Sequence, residues 1–124
     1  PAAGFVTPLS ALCIGLAAGL ACYWGATGIK RLLRVDDSLD VFGVHGIGGI
    51  VGSLLTGLLA DPRIGGVSGS VVTQALGVGA VMAFSLAGTA LLLWLVDAAL
   101  GLRVPERDEL AGLDLALHRE RIGG

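Results

Sequence analysis

The chain has 124 residues, 54% of them hydrophobic and 15% charged, against roughly 45–50% and about 25% in soluble domains. A mean hydropathy of +0.84 points the same way, so composition excludes an ordinary water-soluble domain. A net charge of −2 leaves no basic footprint for nucleic acid. The 21 glycines suit membrane helices, where glycine lets backbones approach closely. The chain begins at Pro1, has its single methionine at Met82 and shows no charged n-region, so no signal peptide is expected within it and it reads as a piece of a longer protein.

The charges divide the chain into elements. Residues 1–7 read as the end of a preceding span or its loop, and the first charge-free stretch predicts a span at about 8–29. Six charges then fall in 30–40: Lys30, Arg31, Arg34, Asp36, Asp37 and Asp40. A second charge-free run predicts a span at about 41–60, and Asp61 and Arg63 follow it. The glycine-rich run 65–70 (GGVSGS) reads as a loop. A third span is predicted at about 73–96, ending before Asp97. Each run reaches the roughly 20 apolar residues that a helix needs to cross a bilayer. None shows the alternation of a barrel strand. The expected fold class is therefore all-α: a polytopic membrane helix bundle, with a membrane region over 1–100 and a tail over 101–124.

Sidedness follows from the cations. Lys30, Arg31 and Arg34 mark the first loop, Arg103 and Arg107 follow the third span, and the second loop holds only Arg63. By the positive-inside rule the first loop and the tail face the cytoplasm. Two small-residue pairs, Gly15 with Gly19 and Gly48 with Gly52, have the GxxxG spacing that favours close helix contacts.

His45 is the only ionisable residue clearly inside a span. Such groups are costly in lipid and mark a bundle interior, a cavity or a pathway. Neutral imidazole offers one donor and one acceptor, which suits a small polar solute or a proton relay. At 100° per residue Val41, His45, Gly48, Gly49 and Gly52 share one face. Spacing alone leaves two readings open, a pore-lining histidine and one hydrogen-bonded to a neighbouring helix. Asp40, at the start of the same helix, reads as its N-terminal cap. Asp97 reads as an interfacial residue or a bundle partner. Cys13 and Cys22 lie on opposite helix faces and read as small hydrophobes. The glycines of GVHGIGG (43–49) follow no strand, which excludes a dinucleotide site. Asp114 and His118 have no activated Ser or Cys beside them, and no enzyme, cofactor or metal site is expected.

The tail carries nine of the 18 charges in residues 101–124. Pro105 can start a short helix, with Glu106, Asp108 and Glu109 near its positive end. Gly112 breaks or bends the segment. Leu110, Leu113, Leu115 and Leu117 interrupt the charges and suggest docking on a protein surface.

Three runs then carry a recognisable pattern: PAAGFVTP (1–8), RVDDSLDVFGVHGIGGIVGSLLTG (34–57) and GLRVPERDELAGLDLALHRE (101–120). They resemble the C-terminal portion of an ammonium transporter of the Amt/Mep type, and VHGIGG and the tail look more like that group than like the related Rhesus proteins. The resemblance covers essentially the whole chain. It implies the last three of eleven spans, an external N-terminus, a cytoplasmic regulatory tail and a multi-pass homotrimer in the cell membrane with one pore per subunit. In such transporters ammonium is deprotonated and ammonia crosses a hydrophobic pore lined by two histidines. His45 matches the second histidine, Val41 a pore-lining apolar position, and Asp40 a structural acid at the pore entrance. Glu109, Gly112 and Asp114 match the ExxGxD element of the tail, whose face receives a PII signalling protein in many bacteria. The first pore histidine, the phenylalanine gate and the external aromatics lie upstream, and the RIGG ending (121–124) departs from the expected aromatic.

Counted from Val41, His45 lies only about 6 Å into its span, whereas the resemblance puts it deep in the pore; a helix beginning before Asp40 reconciles the two. The same spans also fit a membrane-embedded ammonium sensor that signals through its tail, which a fused or bound signalling domain would distinguish.

Overall fold

A computed structural model describes residues 2–33, 37 and 39–118. Arg34, Asp36, Arg119, Glu120 and the RIGG ending at 121–124, singled out above, lie outside the described residues. Helix α1 (Pro8–Trp24) continues through a π-helical turn at Gly25–Ile29 into α2 (Lys30–Leu33). Its start follows from local chemistry: the Thr7 hydroxyl accepts from the Ser10 amide at 3.2 Å, and Pro8 takes the first helical position, where no N–H is needed. A second π-helical segment, Phe42–Ile47, leads into α3 (Gly48–Leu59). Next come the short α4 (Pro62–Gly65), the long α5 (Val71–Leu100), α6 (Glu106–Ala111) and a π-helical turn at Asp114–His118.

Three helices are long and apolar enough to cross a membrane: Pro8–Leu32, Phe42–Leu59 and Val71–Leu100. The described residues form no strand, so the architecture is that of an all-α polytopic membrane fragment. The third helix overruns its predicted bounds at both ends. The Ser70 hydroxyl accepts from the Thr73 amide at 3.2 Å and starts the helix early. One carboxylate does not stop a helix, so α5 passes Asp97 and ends only at Gly101, whose φ is +77°. The Asp97 carboxylate there accepts from the Leu102 amide at 3.2 Å, a local bond where the chain leaves the helix.

The chain divides into two compact units, Pro1–Met82 and Ala83–Gly124. Within the first, α1 packs on α3 and on the Phe42–Ile47 segment, and the two π-helical stretches pack on each other. Their contact point is backbone on backbone. A Cβ on Gly43 would stand 2.6 Å from the Ala26 nitrogen and 2.8 Å from its Cα, and one on Gly25 would stand 3.2 Å from the Gly43 Cα. Both glycines are buried. Further along, a Cβ on Gly48 would lie 2.7 Å from Cys22 Sγ, and Gly52 is buried. The Gly48/Gly52 pair thus sits in a helix contact. Around Gly15 and Gly19 no described atom of another helix lies within 4 Å of where a Cβ would stand. The close crossing falls at Gly25, beyond that pair.

The buried Thr56 returns its hydroxyl to the Gly52 carbonyl at 2.7 Å, so no polar group is stranded in the contact. In the loop after α3, the Asp61 amide donates to the Phe5 carbonyl at 2.8 Å and ties the N-terminal segment down. The Asp61 carboxylate caps α4 and takes the Arg63 guanidinium at 2.7 Å. That side-chain bond, aided by the Arg63 amide, pulls the Asp61 carboxyl down to about 2. A depressed carboxylate stabilises the loop above its ordinary range and loses that contribution only as the pH falls through about 2.

In the second unit, the guanidinium of Arg103 bonds the carboxylate of Glu109 at 2.9 and 3.0 Å, and α6 packs against the Asp114–His118 turn. Gly112 ends α6 with a φ of +91°, as a break at that position requires.

Replacing Gly43 with Val is expected to destabilise the complete protein by about 1–3 kcal/mol, because the added methyls meet backbone that cannot rotate away. Thermal unfolding of the detergent-solubilised protein measures this, and an unchanged midpoint would contradict the backbone contact.

Candidate functional site

The site is built around the start of the second membrane-length helix. Its cap is Asp37, not Asp40: the Asp37 carboxylate accepts from the amides of Val41 and Phe42, both at 2.9 Å. These donors have no partner inside the helix, and an anion at this end is favoured by the dipole. Asp40 lies one residue before the helix with a φ of +54°, the left-handed region. Its carboxylate pairs with Lys30 Nζ at 2.8 Å, joining the end of the first membrane-length helix to the entry of the second. The helix therefore begins after Asp40, and the expectation of an earlier start is not met. Asp40 misses the capping role because its reversed backbone turns the side chain toward α2, while Asp37 reaches over the first helical amides.

His45 lies inside the π-helical segment Phe42–Ile47. A π turn inserts one residue into the helical repeat, so a constant 100° step does not carry through it. The predicted common face is accordingly split. Gly48 and Gly52 turn toward α1, whereas His45 and Gly49 line an open groove. Val41 is 52% exposed and lies outside that groove. The groove has a volume of about 590 Å³, with Phe42, Gly46, Ile50 and Ser53 beside His45 and Gln74, Val78 and Met82 across from it. Its wall is mainly apolar, and the imidazole makes no hydrogen bond or ion pair among the described residues. The Phe42 ring lies over Gly46, where a Cβ would come within 2.9 Å of it.

An imidazole with no hydrogen-bond partner among the described residues, on an apolar groove in a membrane-type helix, has the chemistry to donate to or accept from a small neutral solute. Residues 1–122 match the model of the Ammonium Transporter Family. The chain belongs to the ammonium transporter family. It is 42% identical to ammonium transporter Amt1 of Archaeoglobus fulgidus over 127 residues, covering 97% of this chain and 32% of that protein. It is 43% identical to an ammonium transporter of Aquifex aeolicus over 128 residues, 98% of this chain and 30% of that one. The figure for an ammonium transporter of Bacillus subtilis is 37% over 130 residues, again 98% of this chain and 32% of the relative. The chain thus spans about a third of the length of the curated relatives it matches.

In this member of the ammonium transporter family, the structure brings Lys30, Asp37 and Asp40 together at the helix entry and places His45 on the groove. Glu109, Gly112 and Asp114 lie in the second unit, where Glu109 is held by Arg103. Ser53 and Gln74 were not singled out from the sequence, although Gln74 is the chain's only glutamine and stands near the start of a mainly apolar helix. Cys22 reads from the sequence as a small hydrophobe. It is not merely that, since its thiol donates to the Val44 carbonyl at 3.3 Å.

Removing the cap by Asp37→Ala is expected to cost about 1 kcal/mol and to speed hydrogen exchange at the Val41 and Phe42 amides. Asp40→Asn should leave those amides protected. Mass-spectrometric exchange on the complete protein checks this, and the opposite pattern would restore Asp40 as the cap.

Proposed function

We propose that this chain is the C-terminal portion of an ammonium transporter, contributing its last three membrane helices and a cytoplasmic tail to a homotrimeric, multi-pass protein of the cell membrane. The carrying observation is His45, a lone imidazole on an apolar groove in a chain of this family. An ammonium ion would lose its hydration on entering such a groove, a heavy cost for an unpaired charge. Ammonia is neutral and needs only hydrogen-bond partners. A neutral imidazole meets it in either of two ways: its acceptor nitrogen takes an N–H of ammonia, or its ring N–H donates to the ammonia lone pair. His45 therefore binds ammonia or relays its proton, and Val41, one turn earlier, belongs to the apolar wall of the assembled pore. Asp40 with Lys30 closes the cytoplasmic entrance structurally.

The cation distribution supports the cytoplasmic placement of the first loop and of the tail over 101–124. Within that tail Glu109, Gly112 and Asp114 form a regulatory element that packs on the neighbouring subunit, at a face where a PII signalling protein can dock. Support comes from its shape: Arg103 clamps Glu109, and Gly112 holds a turn that other residues adopt only with strain.

In the complete transporter, His45→Ala is expected to lower methylammonium uptake about tenfold, the worth of one strong hydrogen bond. Unchanged uptake and unchanged charge movement would remove His45 from the pathway. Gly112→Asp is expected to lower uptake by disturbing coupling between subunits, with the amount of trimer unchanged; wild-type uptake in that variant would contradict a regulatory tail.

A further inference from the structure

In an uninterrupted α-helix the amide of Gly48 would bond the carbonyl of Val44, four residues back. Here it bonds the carbonyl of His45 instead, three residues back, in a tighter turn at the junction where the π-helical segment returns to α-helix, so it does not take the Val44 carbonyl. The Val44 carbonyl is turned toward α1, and the Cys22 thiol donates to it at 3.3 Å. Nothing but a glycine at position 48 leaves room for that sulfur, since a Cβ there would lie 2.7 Å from Sγ. One helical turn farther along the same helix, Gly25 meets Gly43 backbone to backbone. The first helix thus grips the residues on both sides of Val44, and His45 is the next residue in the chain.

We propose that Cys22 is a positioning residue for His45. Its thiol holds the Val44 carbonyl away from the Gly48 amide, and that interrupted register turns the imidazole onto the groove rather than toward α1. The thiol is a weak donor, but in lipid the carbonyl has no water to turn to, so a weak donor suffices. Without it the segment can revert to α-helical pairing, Gly48 to Val44, which shifts the direction of the His45 ring. The proposal rests on the reading of His45 as a pore residue.

The test compares Cys22→Ala, Cys22→Ser and His45→Ala in the complete transporter, with trimer yield and thermal midpoint measured for each. The component of the S–H stretching band that is lost in Cys22→Ala should lie at the lower frequency of a hydrogen-bonded thiol, the Cys13 thiol contributing equally to both spectra. Cys22→Ala should lower methylammonium uptake about fivefold, as expected for one hydrogen bond of ordinary net worth, and should shift the imidazole ¹⁵N resonances of His45. Cys22→Ser, which keeps a donor, should restore both. A wild-type minus Cys22→Ala difference band at the free-thiol frequency, or wild-type uptake and resonances in Cys22→Ala while His45→Ala is impaired, would overturn the proposal. Wild-type uptake in His45→Ala would instead overturn the pore reading, and the S–H band and the ¹⁵N shift would still decide whether Cys22 orients His45.

Discussion

The arrangement depends on how closely two backbones approach at Gly25 and Gly43. Lipid gives apolar helices no hydrophobic reason to associate, so the contact must come from packing and hydrogen bonds. Two glycines facing each other bring the helix axes near enough for a side chain of one helix to reach a main-chain carbonyl of the other, as Cys22 reaches Val44. The same closeness places both π-helical turns at a single crossing. Farther out, Lys30 and Asp40 pair at one end of the contact and Thr56 closes its own polar bond within it. These interactions are individually modest, and they share a geometry that any side chain at the crossing would spread apart.

Much of the fold was legible in the sequence because lipid imposes a simple rule: charges cannot lie in the middle of a span. The empty stretches before Lys30, after Asp40 and after Arg63 are therefore enough to find three helices within a few residues of their ends. The family was equally legible, since the motifs around His45 and Glu109 are specific. The finer geometry of the site was not. A π turn uses the same residue types as an α turn and leaves no mark in composition, so the stripe of Val41, His45, Gly48, Gly49 and Gly52 looked continuous. Asp37 and Asp40 are the same residue type three positions apart, and only the backbone conformation between them decides which one caps. Nor does GxxxG spacing say which pair lies at the crossing. Gly15 and Gly19 fit the pattern and meet no other helix among the described residues, while Gly25 and Gly43 fit no pattern because they sit on different helices.

The tail follows another physics. Its side chains are exposed, and an exposed ion pair such as Arg103 with Glu109 contributes little by itself. Its form comes instead from the backbone: a short helix opened by Pro105 and ended by Gly112. The charges made the tail easy to find in the sequence, but those charges do not shape it. Exposed leucines on a segment stiffened this way present a defined surface rather than a loose one.

Asp40 answers two separate demands. Its backbone is left-handed, a conformation that favours Gly, Asn and Asp among the amino acids. Its side chain must offer an anion to Lys30 at close range. Gly and Asn satisfy the first demand and fail the second, while Glu satisfies the second and fails the first. Of the twenty side chains only aspartate stands in both sets, so the residue at this helix entry is fixed by an intersection of constraints that neither the turn nor the ion pair would impose alone.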